Sequence, residues 1–149
     1  MVLGSISMKM GPNFTKANGN TTGRKVYHKK FSFSPLNPNF LGTGCYYYPD
    51  SANLMYSGAF KDNKKQGEGV SFHKNGFKNY SGNFYNDLMD GFGHLYDRNG
   101  NLKYIGNFRQ NQKDGDGQYY FYNKCLCYEG SYKNDKRSGY GDLYDFQSK

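Results

Sequence analysis

Residues 80–93 read YSGNFYNDLMDGFG. Tyr80, Gly82 and Phe84 stand on alternate positions, and Gly91 and Gly93 follow soon after. Glycine weakens a strand interior by itself, so its placement here needs a physical reason. Working outward, the stretch recurs. Tyr56, Tyr80, Tyr104 and Tyr128 are each 24 residues apart. Gly58, Gly82, Gly106 and Gly130 follow two positions on, and Phe60, Phe84, Phe108 and Tyr132 two further. Gly67/Gly69, Gly91/Gly93, Gly115/Gly117 and Gly139/Gly141 keep the same step. A fixed period of this size marks a repeat architecture.

Each unit divides into two strands. Alternation puts Tyr, Gly and the second aromatic on one face. Asn63, Asp87, Asn111 and Asp135 then supply turn residues that tolerate a positive φ. The second strand carries Gly-x-Gly, and Ser71, Leu95, Tyr119 or Leu143 shares its face. Asn75-Gly76 and Asn99-Gly100 are hairpin signals that return the chain to the next tyrosine. A cross-strand glycine lets a ring lie flat over bare backbone, which offsets glycine's cost in a strand. The expected fold is therefore all-β: an elongated, twisted, single antiparallel sheet of tandem hairpins. One repeat cannot bury its apolar face without neighbours.

The composition agrees with this reading. Of 149 residues, 36% are hydrophobic and 19% aromatic, with 16 Tyr, 12 Phe, 20 Gly and no Trp. A core must be built from rings, and that aromatic content argues against disorder. The net charge of +8 is unevenly spread. Lys9, Lys16, Arg24, Lys25, Lys29 and Lys30 lie in residues 1–49, which hold no acid, while residues 50–149 hold 14 basic and 12 acidic residues. Cys45, Cys125 and Cys127 do not suggest a disulfide framework, and a reducing compartment is expected. No apolar run suits a secretory signal or a membrane span. The acid-poor start is similar in composition to a mitochondrial leader, but it has one arginine and no amphipathic helix.

The pattern Tyr-x-Gly-x-aromatic followed by Gly-x-Gly at this spacing resembles the MORN repeat (membrane occupation and recognition nexus), over residues 56–149. Family repeats usually carry Trp at the fifth position and Gly at the eighth, where this chain has Phe or Tyr and Asn or Asp. Both changes keep a large ring and a turn-competent residue. The expected organisation is a basic, irregular arm at 1–30, a degenerate capping repeat at 31–55 around Gly42–Tyr46, and four repeats at 56–79, 80–103, 104–127 and 128–149. Such arrays occur in junctophilins, plant phosphatidylinositol phosphate kinases, apicomplexan scaffolds and ciliary radial-spoke heads. Where enzymes carry them, catalysis lies in another domain.

The chain itself offers little chemistry. Cys125-x-Cys127 is too closely spaced for the usual zinc pair, and His28, His73 and His94 fall at unrelated positions of the pattern. Gly-Glu-Gly-Val at 67–70 lacks the Gly-Lys-Ser/Thr of a phosphate loop. Glu68, Asp116 and Glu129 read as solvated strand positions. No catalytic residue, cofactor or metal is expected, nor any nucleic acid, and the chain is read as a non-enzyme.

The leading expectation is a protein-interaction scaffold or small structural subunit, cytoplasmic and associated with the cytoskeleton or cilium, with the assembly inferred from the resemblance alone. Its partner would grip the ring face: Tyr56, Phe60, Tyr80, Phe84, Tyr104, Phe108, Tyr128 and Tyr132, with Leu88 and Met89 as an apolar contact at a turn. Leu88 and Met89 also fit packing on a neighbouring turn. Lys25, Lys29, Lys30, Lys64, Lys65, Lys136 and Arg137 would meet an acidic surface, either tubulin or anionic lipid. The alternative function is a peripheral phosphoinositide-binding module. A soluble edge kept from aggregating by charge explains the same lysines, since Asp62, Asp87, Asp90, Asp114 and Asp135 are interleaved with them.

Overall fold

The computed structural model describes residues 29–32, 42–121 and 124–145. They form one sheet of ten strands and, among the described residues, no helix. The strands are β1 (Lys29–Ser32), β2 (Gly42–Tyr47), β3 (Leu54–Lys61), β4 (Lys64–Phe72) and β5 (Lys78–Tyr85). Then come β6 (Leu88–Tyr96), β7 (Leu102–Arg109), β8 (Gln112–Tyr120), β9 (Leu126–Lys133) and β10 (Lys136–Leu143). Each pairs antiparallel with its sequence neighbour, giving the order β1 to β10 without a crossover. β1 begins at Lys29, inside the stretch expected to be an irregular arm. The remainder of that arm, Lys25 included, lies outside the described residues.

Two kinds of turn alternate. Asp62-Asn63, Asn86-Asp87, Gln110-Asn111 and Asn134-Asp135 all have positive φ, from 48° to 73°. Positive φ at both central residues is the type I′ geometry, whose twist matches the strands it joins. The expected turn residues therefore sit at the second position of each pair. The Asn-Gly sites differ from the two-residue turn that the dipeptide suggests. Only Gly76 (φ 90°) and Gly100 (φ 82°) are left-handed there. His73 N–H donates to Phe77 O at 2.8 Å and Gly76 N–H to His73 O at 2.9 Å, closing a three-residue loop with a glycine bulge.

The third loop of this kind places Lys124 at φ 68° where the other two have glycine. Phe121 N–H still donates to Cys125 O at 2.9 Å, so the loop closes at the cost of a strained lysine. Lys124→Gly should therefore stabilise the protein by about 0.5–1 kcal/mol, the left-handed penalty less glycine's extra chain entropy. Urea unfolding checks this, and an unchanged or lower midpoint would refute it.

The I′ turns also lock one repeat to the one before. Asp87 Oδ1 accepts the Lys65 N–H at 2.9 Å, and the Asp87 N–H donates to Lys65 O at 3.1 Å. Asn111 does the same with Met89 (2.8 and 2.9 Å), and Asp135 with Lys113 (2.9 and 3.0 Å). The side chain at the eighth position thus has a second task beyond its φ. It satisfies a backbone donor of the preceding repeat's second strand, just beside that strand's bulge.

Candidate interaction surface

The tyrosines and phenylalanines of the repeats form the core. Tyr56, Tyr80 and Tyr104 are fully buried, Phe60, Phe84 and Phe108 are 4% exposed, and Tyr128 and Tyr132 close to that. Rings meet edge to face in one unbroken series: Tyr46, Phe60, Tyr56, Phe84, Tyr80, Phe108, Tyr104, Tyr132 and Tyr128. Centroid separations of 4.7 to 5.3 Å put each ring's positive edge on its neighbour's negative face. Each of the first three repeats therefore buries its tyrosine with help from the next repeat's second ring, Phe84, Phe108 or Tyr132. Every repeat tyrosine lies over glycine, as anticipated: a Cβ added to Gly93 would stand 2.5 Å from Cε2 and Cζ of Tyr80. The hydroxyl is satisfied within its own strand, Tyr80 donating to Asn83 O at 3.0 Å and Tyr128 to Ser131 O at 3.1 Å.

This placement revises the role expected of the eight rings. They are spent on one another and leave almost no surface for a partner. A thin sheet suggests an open aromatic face, but a T-shaped ladder closes it from within. Long side chains complete the cover. Lys65 Nζ stands 5.2 Å from the Tyr56 ring centre and 5.5 Å from that of Phe84. Lys113 lies over Tyr104 (5.7 Å) and Tyr132 (5.4 Å), and the Arg137 guanidinium over Tyr128 (5.0 Å). Burial holds the Lys65 ammonium below its ordinary pKa, with the Asp87 carboxylate opposing that shift. Met89 occupies the same repeat position and packs on the ring cluster, so it is an uncharged cover in repeat two. Leu88 is half-buried beside it.

The basic residues singled out from the sequence thus separate into two groups. Lys65, half-buried, and Arg137, exposed, lie over rings, whereas Lys64 and Lys136 are exposed beside the I′ turns. Lys29 and Lys30 lie on β1 at the sheet edge.

The other face is open. Gly44, Gly58, Gly69, Gly82, Gly93, Gly106, Gly117, Gly130 and Gly141 are paired in one row from β2 to β10. On one side this row is roofed by tyrosines; on the other it is bare backbone. Phe92 rises from it, 51% exposed, with His94 edge-on at 5.7 Å. Concavities of about 450 and 480 Å³ flank Phe92. Val70, Ser81 and Asn83 border the first; Ile105, Asn107, Asp116, Gln118 and Glu129 border the second. Sequence reasoning read Asp116 and Glu129 as solvated positions and singled out none of the others. The signal was available in the alternation, since the residues flanking a row glycine must point away from the rings.

Among the described residues no group of His, Cys, Asp and Glu suits a metal ion. Cys127 is buried in β9, while Cys125 is exposed. No described helix is long and apolar enough to cross a membrane. A search of curated proteins finds no match. The family profile of the MORN repeat matches residues 56–78, 80–102, 104–126 and 128–145, more than half of the chain and in phase with the four hairpins. That repeat is a non-catalytic module generally involved in interactions with proteins or lipids. The chain belongs to the MORN-repeat family.

Proposed function

We propose that this protein is a non-enzymatic interaction module, acting as a scaffold or small structural subunit that holds a segment of a partner protein against its sheet. The observation that supports this reading is the inequality of the two faces. One is sealed by nine rings in edge-to-face contact; the other keeps Phe92 exposed over a floor with no side chains. An exposed large ring inside a concave surface is a usual anchor of a protein contact. A cytoskeletal or ciliary setting belongs to the proposal and rests on what related arrays do.

The second reading, binding to anionic phospholipid, is favoured by Lys61, Lys64, Arg109, Lys133 and Lys136, which crowd the I′-turn rim. Affinity purification of the tagged full-length chain from its own cells separates the two. A stoichiometric protein retained in high salt, and lost on Phe92→Ser, is the expected result. Flotation of the chain with vesicles containing phosphatidylinositol phosphate, abolished by salt and with no protein retained, would replace this reading with the lipid one.

A further inference from the structure

We propose that the glycine row is the floor of a trough that takes an extended, lysine- or arginine-bearing segment of a partner protein. The inference rests on the interaction reading above and names the chemistry of the partner. The row crosses nine strands, so at about 4.8 Å per strand it is about 38 Å long. A fully extended chain of about 12 residues covers that length. From Gly58 to Gly141 the floor carries no side chains, because a Cβ at these row glycines would meet ring or backbone atoms on the ring side. A peptide backbone can therefore approach closely, as it does wherever glycine lines a binding surface.

The walls supply the chemistry. Towards the I′ turns they are Ala59, Glu68, Asn83, Phe92, Asn107, Asp116, Ser131 and Tyr140; towards the other loops, Ser57, Val70, Ser81, His94, Ile105, Gln118, Glu129 and Asp142. The charged residues among these are Glu68, Asp116, Glu129 and Asp142, with no lysine or arginine, although the protein carries +8 overall. All four carboxylates are exposed. Glu129 and Asp142 are directly paired across β9 and β10, an arrangement of like charges that weakens a sheet. A cationic side chain laid between them relieves that repulsion. Lys61, Arg109 and Lys133 of the same face stand one alternation farther out, at the I′-turn rim, while Lys103 lies one alternation beyond Ile105 towards the other loops. A segment with basic residues on alternate positions thus directs them to Glu129 and Asp142 and turns its uncharged side to the rim. Phe92, between the two concavities, meets the aliphatic stems.

The test uses the full-length chain and a labelled peptide of about 12 residues alternating lysine and alanine, with a glutamate–alanine peptide as control. Fluorescence anisotropy at low salt should show binding of the lysine peptide alone. Amide shifts should centre on Gly82, Gly93, Gly106, Gly117 and Gly130. Glu129→Gln combined with Asp142→Asn should weaken binding about tenfold, since each exposed pair contributes up to about 1 kcal/mol. Both positions are exposed, and the shift map on the unaltered protein stands even if that variant fails to fold. No binding, equal binding by the variant, or shifts confined to the turns would overturn the proposal. If a cellular partner is captured equally by the unaltered chain and this variant, the trough is wrong while the interaction reading survives. If vesicles alone are bound, both fall.

Discussion

Replacing Gly93 by alanine should destabilise the protein by more than about 3 kcal/mol, at the upper end of what one methyl group does. The backbone at Gly93 is not left-handed, so the cost is purely steric. The new Cβ would overlap the Tyr80 ring, 2.5 Å from both Cε2 and Cζ. That ring cannot yield by rotating, because Phe84 and Phe108 hold it at 5.1 and 5.2 Å on either flank. It must leave the sheet, taking its hydrogen bond to Asn83 O with it. Gly76→Ala is the control. Its φ of 90° imposes about 1–2 kcal/mol of backbone strain, but nothing lies within 4 Å of the added carbon. Urea unfolding of the two variants should rank them in that order. Equal losses would mean that glycine in the row is needed for its backbone freedom and not for the ring. Adding Tyr80→Leu to Gly93→Ala should cost less than the two changes separately, since a smaller side chain tolerates the methyl.

Alkaline pH should unfold the sheet sharply. Burial pushes the Tyr80 and Tyr132 phenols up to about 12, from an ordinary value of 10.0, and raises Tyr56 and Tyr104 farther still. A raised folded-state value means that the native protein holds its proton more tightly than the unfolded chain does. The associated stability is complete below pH 10, begins to erode there and is lost as pH passes the folded value. Lost at several rings of one ladder, that stability weighs heavily against the few kcal/mol by which a domain this size is folded. Tyrosinate absorbance and far-ultraviolet circular dichroism, followed together, should change as one transition above pH 10. Phenols that ionise near pH 10 while the sheet signal persists would show that the rings are solvated.

The fold was legible because its determinants are local and repeated. Tyr80, Gly82 and Phe84 declare a strand face, and Asp87 declares a turn, whichever repeat is read. Leu95 and Tyr119, expected on the ring face, do pack against the ring cluster. The surface was less legible. Burial of Tyr56 depends on Phe84, which belongs to the next repeat, and on the Lys65 stem, whose charge suggests solvent. Neither is visible from composition. Met89 looked anomalous beside charged residues at equivalent positions, yet Lys65, Lys113 and Arg137 do the same work with their stems. Asp87 could be placed in a turn from its type. Its bond to the Lys65 amide required knowing that this amide faces the next repeat's turn.

The reciprocal bonds between each I′ turn and the preceding bulge carry one more consequence. Every junction in the array is chemically the same joint, made by residues a constant 22 positions apart, Lys65 with Asp87, Met89 with Asn111 and Lys113 with Asp135. Duplication or excision of 24 residues therefore preserves every joint, while a change of 23 or 25 breaks the joint it falls in. Each unit contributes two strands, or about 9.6 Å of width. Such a chain is a ruler with fixed graduations: its reach can be lengthened or shortened in whole steps without redesigning its interior.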